Sequence, residues 1–367
     1  MYKNESIDFS LGYNFDPSLI EEIIRLNNIY RNNRKISEFF AALPDSPYLS
    51  TRPSNRIKDI SWYDFESQVK RMKENSINFN YLFNAKAELN EINLTEFRIF
   101  LQNLSDIGIN QLIAYSPELC KLIKKTNPNF EITISSVYNV RTKAQLDEVH
   151  ESGADYAYLD SIFINRNFNL LRELRKLAII PLKLYANVSC LSQCPNKDLH
   201  YTVLSNPDKA YQLVMNDKLF KYCSIEKLNN PTTWLQMQWI RPEDINVYVE
   251  EGFNHFKLTD RLAPTESLIQ IAEHYLKGIS PANLFPIIER NGTKYKDLVA
   301  DTQNPFFVES SKIPEDFIEH FRKGDCVSAN IDCRYCNEVA NKSITISNHF
   351  DKTPNQFNME EITVLCK

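Results

Sequence analysis

Apolar positions along this chain recur with two periods, and the two alternate. Short runs rich in β-branched and aromatic residues read as strands: Ile7 to Leu11, Ile36 to Ala41, Asn78 to Phe83, Gln111 to Tyr115, Glu131 to Ser135, Asp155 to Leu159, Pro181 to Ala186 and His255 to Thr259. Between them, apolar residues three and four apart predict amphipathic helices over Leu19 to Leu26, Trp62 to Lys73, Leu94 to Ile107, Ala144 to His150, Asn169 to Leu177 and Glu266 to Tyr275. Repeated strand–helix units imply parallel strands joined by right-handed crossovers. The expected fold class is therefore α/β, a (β/α)8 TIM-like barrel, with a doubly wound open sheet as its rival.

The rhythm breaks once. Between Cys190 and His255 the chain is far longer than a usual βα loop, and it carries His200, Tyr201, Tyr211, Tyr222, Cys223, Trp234 and Trp239. This cysteine-bearing insertion, 190–254, follows strand seven at what would be the carboxyl end of the barrel, where barrel active sites lie. The barrel is expected to span 1–280 and a small C-terminal extension 281–367. In the extension, Asn283 to Ile313 has little apolar periodicity and Phe317 to Phe321 reads as one short helix.

Composition narrows the function. A chain of 367 residues with 43% hydrophobic content can bury a core of this size, and its seven glycines include no GxGxxG and no GxxxxGK[ST]. Neither a dinucleotide fingerprint nor a P-loop is available. That lack also favours the barrel over the open sheet. A net charge of −5 gives no global pull toward nucleic acid or anionic membrane. Met1 to Phe9 holds Lys3, Glu5 and Asp8 without an apolar run, and no stretch reaches membrane-spanning length, so a cytoplasmic protein without a membrane partner is expected.

Six of the eight cysteines form two groups: Cys190, Cys194 and Cys223, then Cys326, Cys333 and Cys336. Thiolates suit zinc and iron–sulfur clusters, and cytosolic thiols seldom become structural disulfides, so these groups point to metal or cluster binding. Cys190-x3-Cys194 lies in a loop. Cys333-x2-Cys336 has chelating spacing, and its polar neighbours Asp332, Arg334 and Asn337 predict exposure before metal binds. Redox thiols and burial as plain core thiols are the alternatives. It is the reading adopted for Cys120, set among Leu119, Leu122 and Ile123, while Cys366 sits at a terminus with no expected role.

The segments Leu184-Tyr185-Ala186-Asn187-Val188-Ser189-Cys190, Cys194-Pro195, His200, Cys223 and Trp239-Ile240-Arg241-Pro242-Glu243-Asp244 resemble the U32 peptidase-like family, which includes oxygen-independent hydroxylases. The run from Glu250 to Arg261, with Lys257, is similar to that family's closing strand. The resemblance implies a [4Fe–4S] cluster on Cys190, Cys194 and Cys223. Where the family often has a fourth cysteine further along the insertion, this chain has Trp and Met residues. Cys333 or Cys336 is expected to close the site, with an open fourth iron, or a separate site on Cys326, Cys333 and Cys336, as alternatives.

Other residues carry smaller expectations. His200 is read as ligand, proton shuttle or loop residue. Lys257 and Arg261 bracket strand eight, where a cation suits a carboxylate or phosphate, and Arg241 precedes a helix-starting Pro242. Thr51 to Arg56 resembles an anion-holding loop, although a solvated turn is the preferred reading. Function is expected to be iron–sulfur, hydroxylase-like modification of a small molecule, nucleic-acid base or peptide, served by an electron donor. The alternatives are a U32-type peptidase, for which no GxSxG or HExxH is present, and a zinc-stabilised non-enzymatic subunit of a heteromer. A radical enzyme using S-adenosylmethionine is disfavoured, because Cys190-x3-Cys194 lacks a third cysteine two residues on.

Overall fold

A computed structural model describes residues 6–44, 58–86, 92–192, 194–206, 208–259, 261–289, 295, 298–299, 301, 304–324, 326 and 333–347. Eight strands, β1 (Ile7–Gly12), β2 (Arg34–Ala41), β3 (Asn78–Phe83), β4 (Gln111–Ala114), β5 (Glu131–Ile134), β6 (Tyr156–Tyr158), β7 (Leu182–Tyr185) and β8 (His255–Leu258), close in chain order into a barrel. Each is parallel to the next, and β8 returns to β1. All eight apolar runs of the sequence are these strands. The open-sheet alternative is excluded by the β1–β8 pairing.

Helices α1 (Pro17–Ile29), α2 (Trp62–Glu74), α3 (Leu94–Asp106), α4 (Pro117–Thr126), α5 (Lys143–Glu151), α6 (Ser161–Ile164) and α7 (Phe168–Leu177) cover the outside between successive strands. Their starts are set locally. Asp16, Ser61, Asn93, Ser116 and Thr142 each accept a first-turn N–H, and Thr142 forms a capping box with Gln145. The sequence pattern missed α4, whose apolar stripe is short and interrupted by lysines. It holds Cys120 fully buried, with Sγ donating to the Ser152 carbonyl.

The interval after β7 is helical: α8 (Lys197–Ser205), α9 (Lys209–Asn229), α10 (Thr232–Gln236) and α11 (Ile245–Glu250), before β8 and α12 (Thr265–Lys277). The C-terminal part adds α13 (Phe285–Ile288), β9 (Phe306–Val308), α14 (Phe317–Arg322), α15 (Arg334–Ser343) and β10 (Ile344–Ile346), with β9 and β10 antiparallel. It joins the barrel's own core: Trp234 of α10 packs on Phe285 and Phe306, and Trp239 stacks on Phe317. Among the described residues no helix is long and apolar enough to cross a membrane.

The barrel interior is polar. Ser10 donates to Glu38 and lies 3.2 Å from the Tyr158 hydroxyl, while Lys183 reaches both Glu38 oxygens at 3.4 and 3.5 Å. These side chains come from β1, β2, β6 and β7, so they meet only in the hollow. Branched aliphatic residues ordinarily fill such interiors.

Candidate active site at the barrel mouth

The strand ends open into a chamber of about 170 Å³. Ser136, Asp160, Tyr185 and Thr259 floor it from the ends of β5 to β8, and Cys190, Cys194 and Cys223 wall it from the insertion. Ser136 Oγ donates to the Tyr185 hydroxyl at 2.8 Å. The barrel therefore supplies hydroxyls and a carboxylate, while the insertion supplies sulfur.

The three thiols act on one another. A hydrogen bond from Cys223 holds the Cys194 thiol below its ordinary value; burial opposes this, and the Asn196 N–H and Lys197 assist it. Cys190 is exposed at the rim. Each cysteine segment also carries a lysine one turn further on. Lys197 pairs with Asp160, which lies 3.2 Å from Arg141, and Lys227 pairs with Glu289 at 2.6 Å. All four side chains of the two lysine pairs are almost fully buried. Burial lowers the Lys197 ammonium pKa, and Asp160 offsets only part of that.

With this geometry in place, similarity to known proteins can be read onto it. The family model for peptidase family U32 matches residues 40–160, from the end of β2 to Asp160 at the chamber floor. The chain is also 22% identical over 334 residues to "Uncharacterized protease MJ1657" of Methanocaldococcus jannaschii, covering 89% of this chain and 95% of that protein. Among solved structures, the U32 peptidase Mk0906 is similar at 15% identity and a TM-score of 0.47, covering 71% of this chain and 95% of that one. A tryptophan synthase complex from Pyrococcus furiosus is similar at 13% identity and a TM-score of 0.40, covering 76% and 100%. The match to the family model stops before the cysteine insertion of this chain.

The other anticipated site residues are dispersed. His200 lines the chamber, with Nε2 2.9 Å from Asn216 Oδ1 and its ring edge-on to Phe220. Lys257 lies beneath the floor, its Nζ 3.7 Å from the Phe40 ring centroid and 5.3 Å from that of Tyr185. Arg261 lines a separate niche with Lys58 and Asp16. Arg241 is away from the chamber: it grips Asp244 through two bonds of 2.7 and 3.0 Å and donates to the carbonyls of Pro314 and Glu315. It fastens the C-terminal part to the barrel. Thr51 to Arg56 and Cys366 lie outside the described residues.

The second cysteine group occupies another place. Cys333 precedes α15 and Cys336 lies in its first turn, 2% exposed. Polar neighbours predicted exposure for this pair; the structure corrects that for Cys336, because helical periodicity sends Arg334 to solvent and Cys336 inward. Burial pushes the Cys336 thiol up to about 12; Arg166 opposes the rise, and Cys333 and Cys326 add to it. Arg166 is itself buried, donating to the carbonyls of Leu235 and Trp239. None of these three cysteines lines the chamber. The two groups are not brought together, so Cys333 and Cys336 do not stand beside Cys190, Cys194 and Cys223.

The donor set bears on what the chamber can hold. A zinc ion reaches thiolates at about 2.3 Å, which places its sulfurs about 3.8 Å apart. Among the described residues no three His, Cys, Asp or Glu side chains converge on one ion. Cys194 and Cys223 are hydrogen-bonded to each other, and with Cys190 they give the chamber a thiol donor set of the kind that zinc and iron–sulfur clusters both use. Sequence reading missed Lys197, Lys227 and Glu289. Only the lysine spacing from Cys194 and Cys223 could have signalled them.

Proposed function

We propose that this chain is an iron–sulfur enzyme of the U32 family in which Cys190, Cys194 and Cys223 hold a [4Fe–4S] cluster at the barrel mouth. It modifies a small molecule, nucleic-acid base or peptide in a hydroxylase-like reaction served by an electron donor. The observation that carries the reading is the convergence of three insertion thiols on a chamber floored by strand-end residues. When bound, the cluster supplies electron transfer or an open iron for substrate. His200 and the Ser136–Tyr185 hydroxyl pair are the chamber's groups for holding and moving protons. The Lys197–Asp160 pair fixes charge beside Cys190.

A second reading, thiol hydrolysis, is favoured by the family name and by Cys194, whose lowered pKa and shared chamber with His200 suit a nucleophile. The test is anaerobic purification with iron, sulfide and zinc quantified and EPR recorded. About four irons per chain, lost in Cys190→Ala and Cys223→Ala and retained in Cys336→Ala, is the expected result. Wild-type protein that is folded but iron-free sinks the cluster reading and leaves hydrolysis or a zinc-stabilised, non-enzymatic subunit.

A further inference from the structure

We infer that Lys227 and Glu289 are a positioning pair for the three-thiol chamber, joining the Cys190 loop, the Cys223 helix and the C-terminal part at one buried point. The inference rests on the proposal that the three thiols act together. Cys223 and Lys227 are four residues apart on α9 (Lys209–Asn229) and therefore share a face. Lys227 Nζ donates at 2.7 Å to the carbonyl of Ser189, the residue before Cys190, and at 2.6 Å to Glu289 Oε2. The indole of Trp234 lies 5.1 Å from the same ammonium.

One ammonium thus reads the position of both cysteine segments. The Ser189–Cys190 stretch has no strand or helix of its own, so its contact with Lys227 sets where the Cys190 sulfur stands relative to Cys223. A buried ion pair is seldom more stable than apolar residues of equal volume, because desolvating both charges offsets their attraction. A directional hydrogen bond to a particular carbonyl is what an apolar pair cannot reproduce. Lys197 repeats the arrangement for Cys194, three residues before it, with Asp160 of the barrel as its anchor. The carboxylate for Lys227 instead follows α13, so the C-terminal part completes the chamber.

Phenylarsine oxide tests this without metal, since its arsenic bonds two neighbouring thiols, taking their protons with its oxygen as water. Wild-type apoprotein is expected to bind it, with two of the three thiols Cys190, Cys194 and Cys223 protected in mass-mapped alkylation. Lys227→Met combined with Glu289→Leu removes both charges and is expected to weaken that protection about tenfold, as loss of a supporting hydrogen bond does at metal sites. Lys227→Arg is expected to restore it. Should the double variant misfold, Glu289→Gln replaces it as the variant that must show the loss. Wild-type affinity in the folded double variant or in Glu289→Gln, or absence of protection at these cysteines in wild type, overturns the inference. Iron content separates the two ideas: an iron-free wild type whose arsenical binding still depends on Lys227 removes the cluster reading and keeps the pair.

Discussion

Glu38 on β2 and Lys183 on β7 meet across the hollow of the barrel, 3.4 Å apart and both nearly out of contact with water. Burial alone pushes the Glu38 carboxyl up. Lys183, the Ser10 hydrogen bond and Lys257 outweigh it, so the group is held below its ordinary value and stays ionised. Removing one partner leaves a buried charge uncompensated. Glu38→Gln is expected to cost about 3 kcal/mol in urea unfolding, and adding Lys183→Met should return much of it. A single variant as stable as wild type contradicts the pairing.

The same interior makes stability depend on pH. His255, at the start of β8, has its pKa lowered by burial and then by Lys183. A depressed histidine contributes stability that is full above its unfolded value of 6.5 and is lost as pH falls below it. Glu38 behaves likewise below 4.5. Urea midpoints should therefore decline from pH 6.5 downward and more steeply below 4.5, and His255→Asn should flatten the upper part. A flat wild-type profile between pH 6.5 and 5 would count against a lowered His255 pKa.

Thiol reactivity should rank the cysteines by place. At pH 7.5, iodoacetamide is expected to label exposed Cys190 first and to spare Cys120 and Cys336, both buried and with raised pKa values. Time-resolved mass mapping reads the order. Early labelling of Cys336 would mean that α15 is not packed inward.

Arg241 should matter for stability rather than for binding in the chamber. Its guanidinium bridges Asp244 and two carbonyls of the C-terminal part from a position 3% exposed. Arg241→Ala is expected to cost about 3 kcal/mol and to open the C-terminal part to limited proteolysis, with arsenical protection at the chamber thiols retained. Lost protection with unchanged stability would reverse the assignment.

The sequence by itself determined the barrel. Strand and helix periods are local properties, written in stretches such as Asn78 to Phe83 and Trp62 to Lys73, and the long interval after β7 located the mouth. It also determined Cys120 as core, because that thiol sits within an apolar stripe. Only the tertiary structure decided which distant residues meet. The polar interior was hidden because Glu38 and Lys183 lie on strands remote in sequence, each looking like the solvent face of an alternating run. The two cysteine groups share chemistry but not a place, since α15 turns Cys336 toward Arg166 while the insertion turns Cys190, Cys194 and Cys223 toward the strand ends. Spacing along the chain cannot carry that distinction, because it arises from closing the barrel and folding the C-terminal part over Trp234 and Trp239.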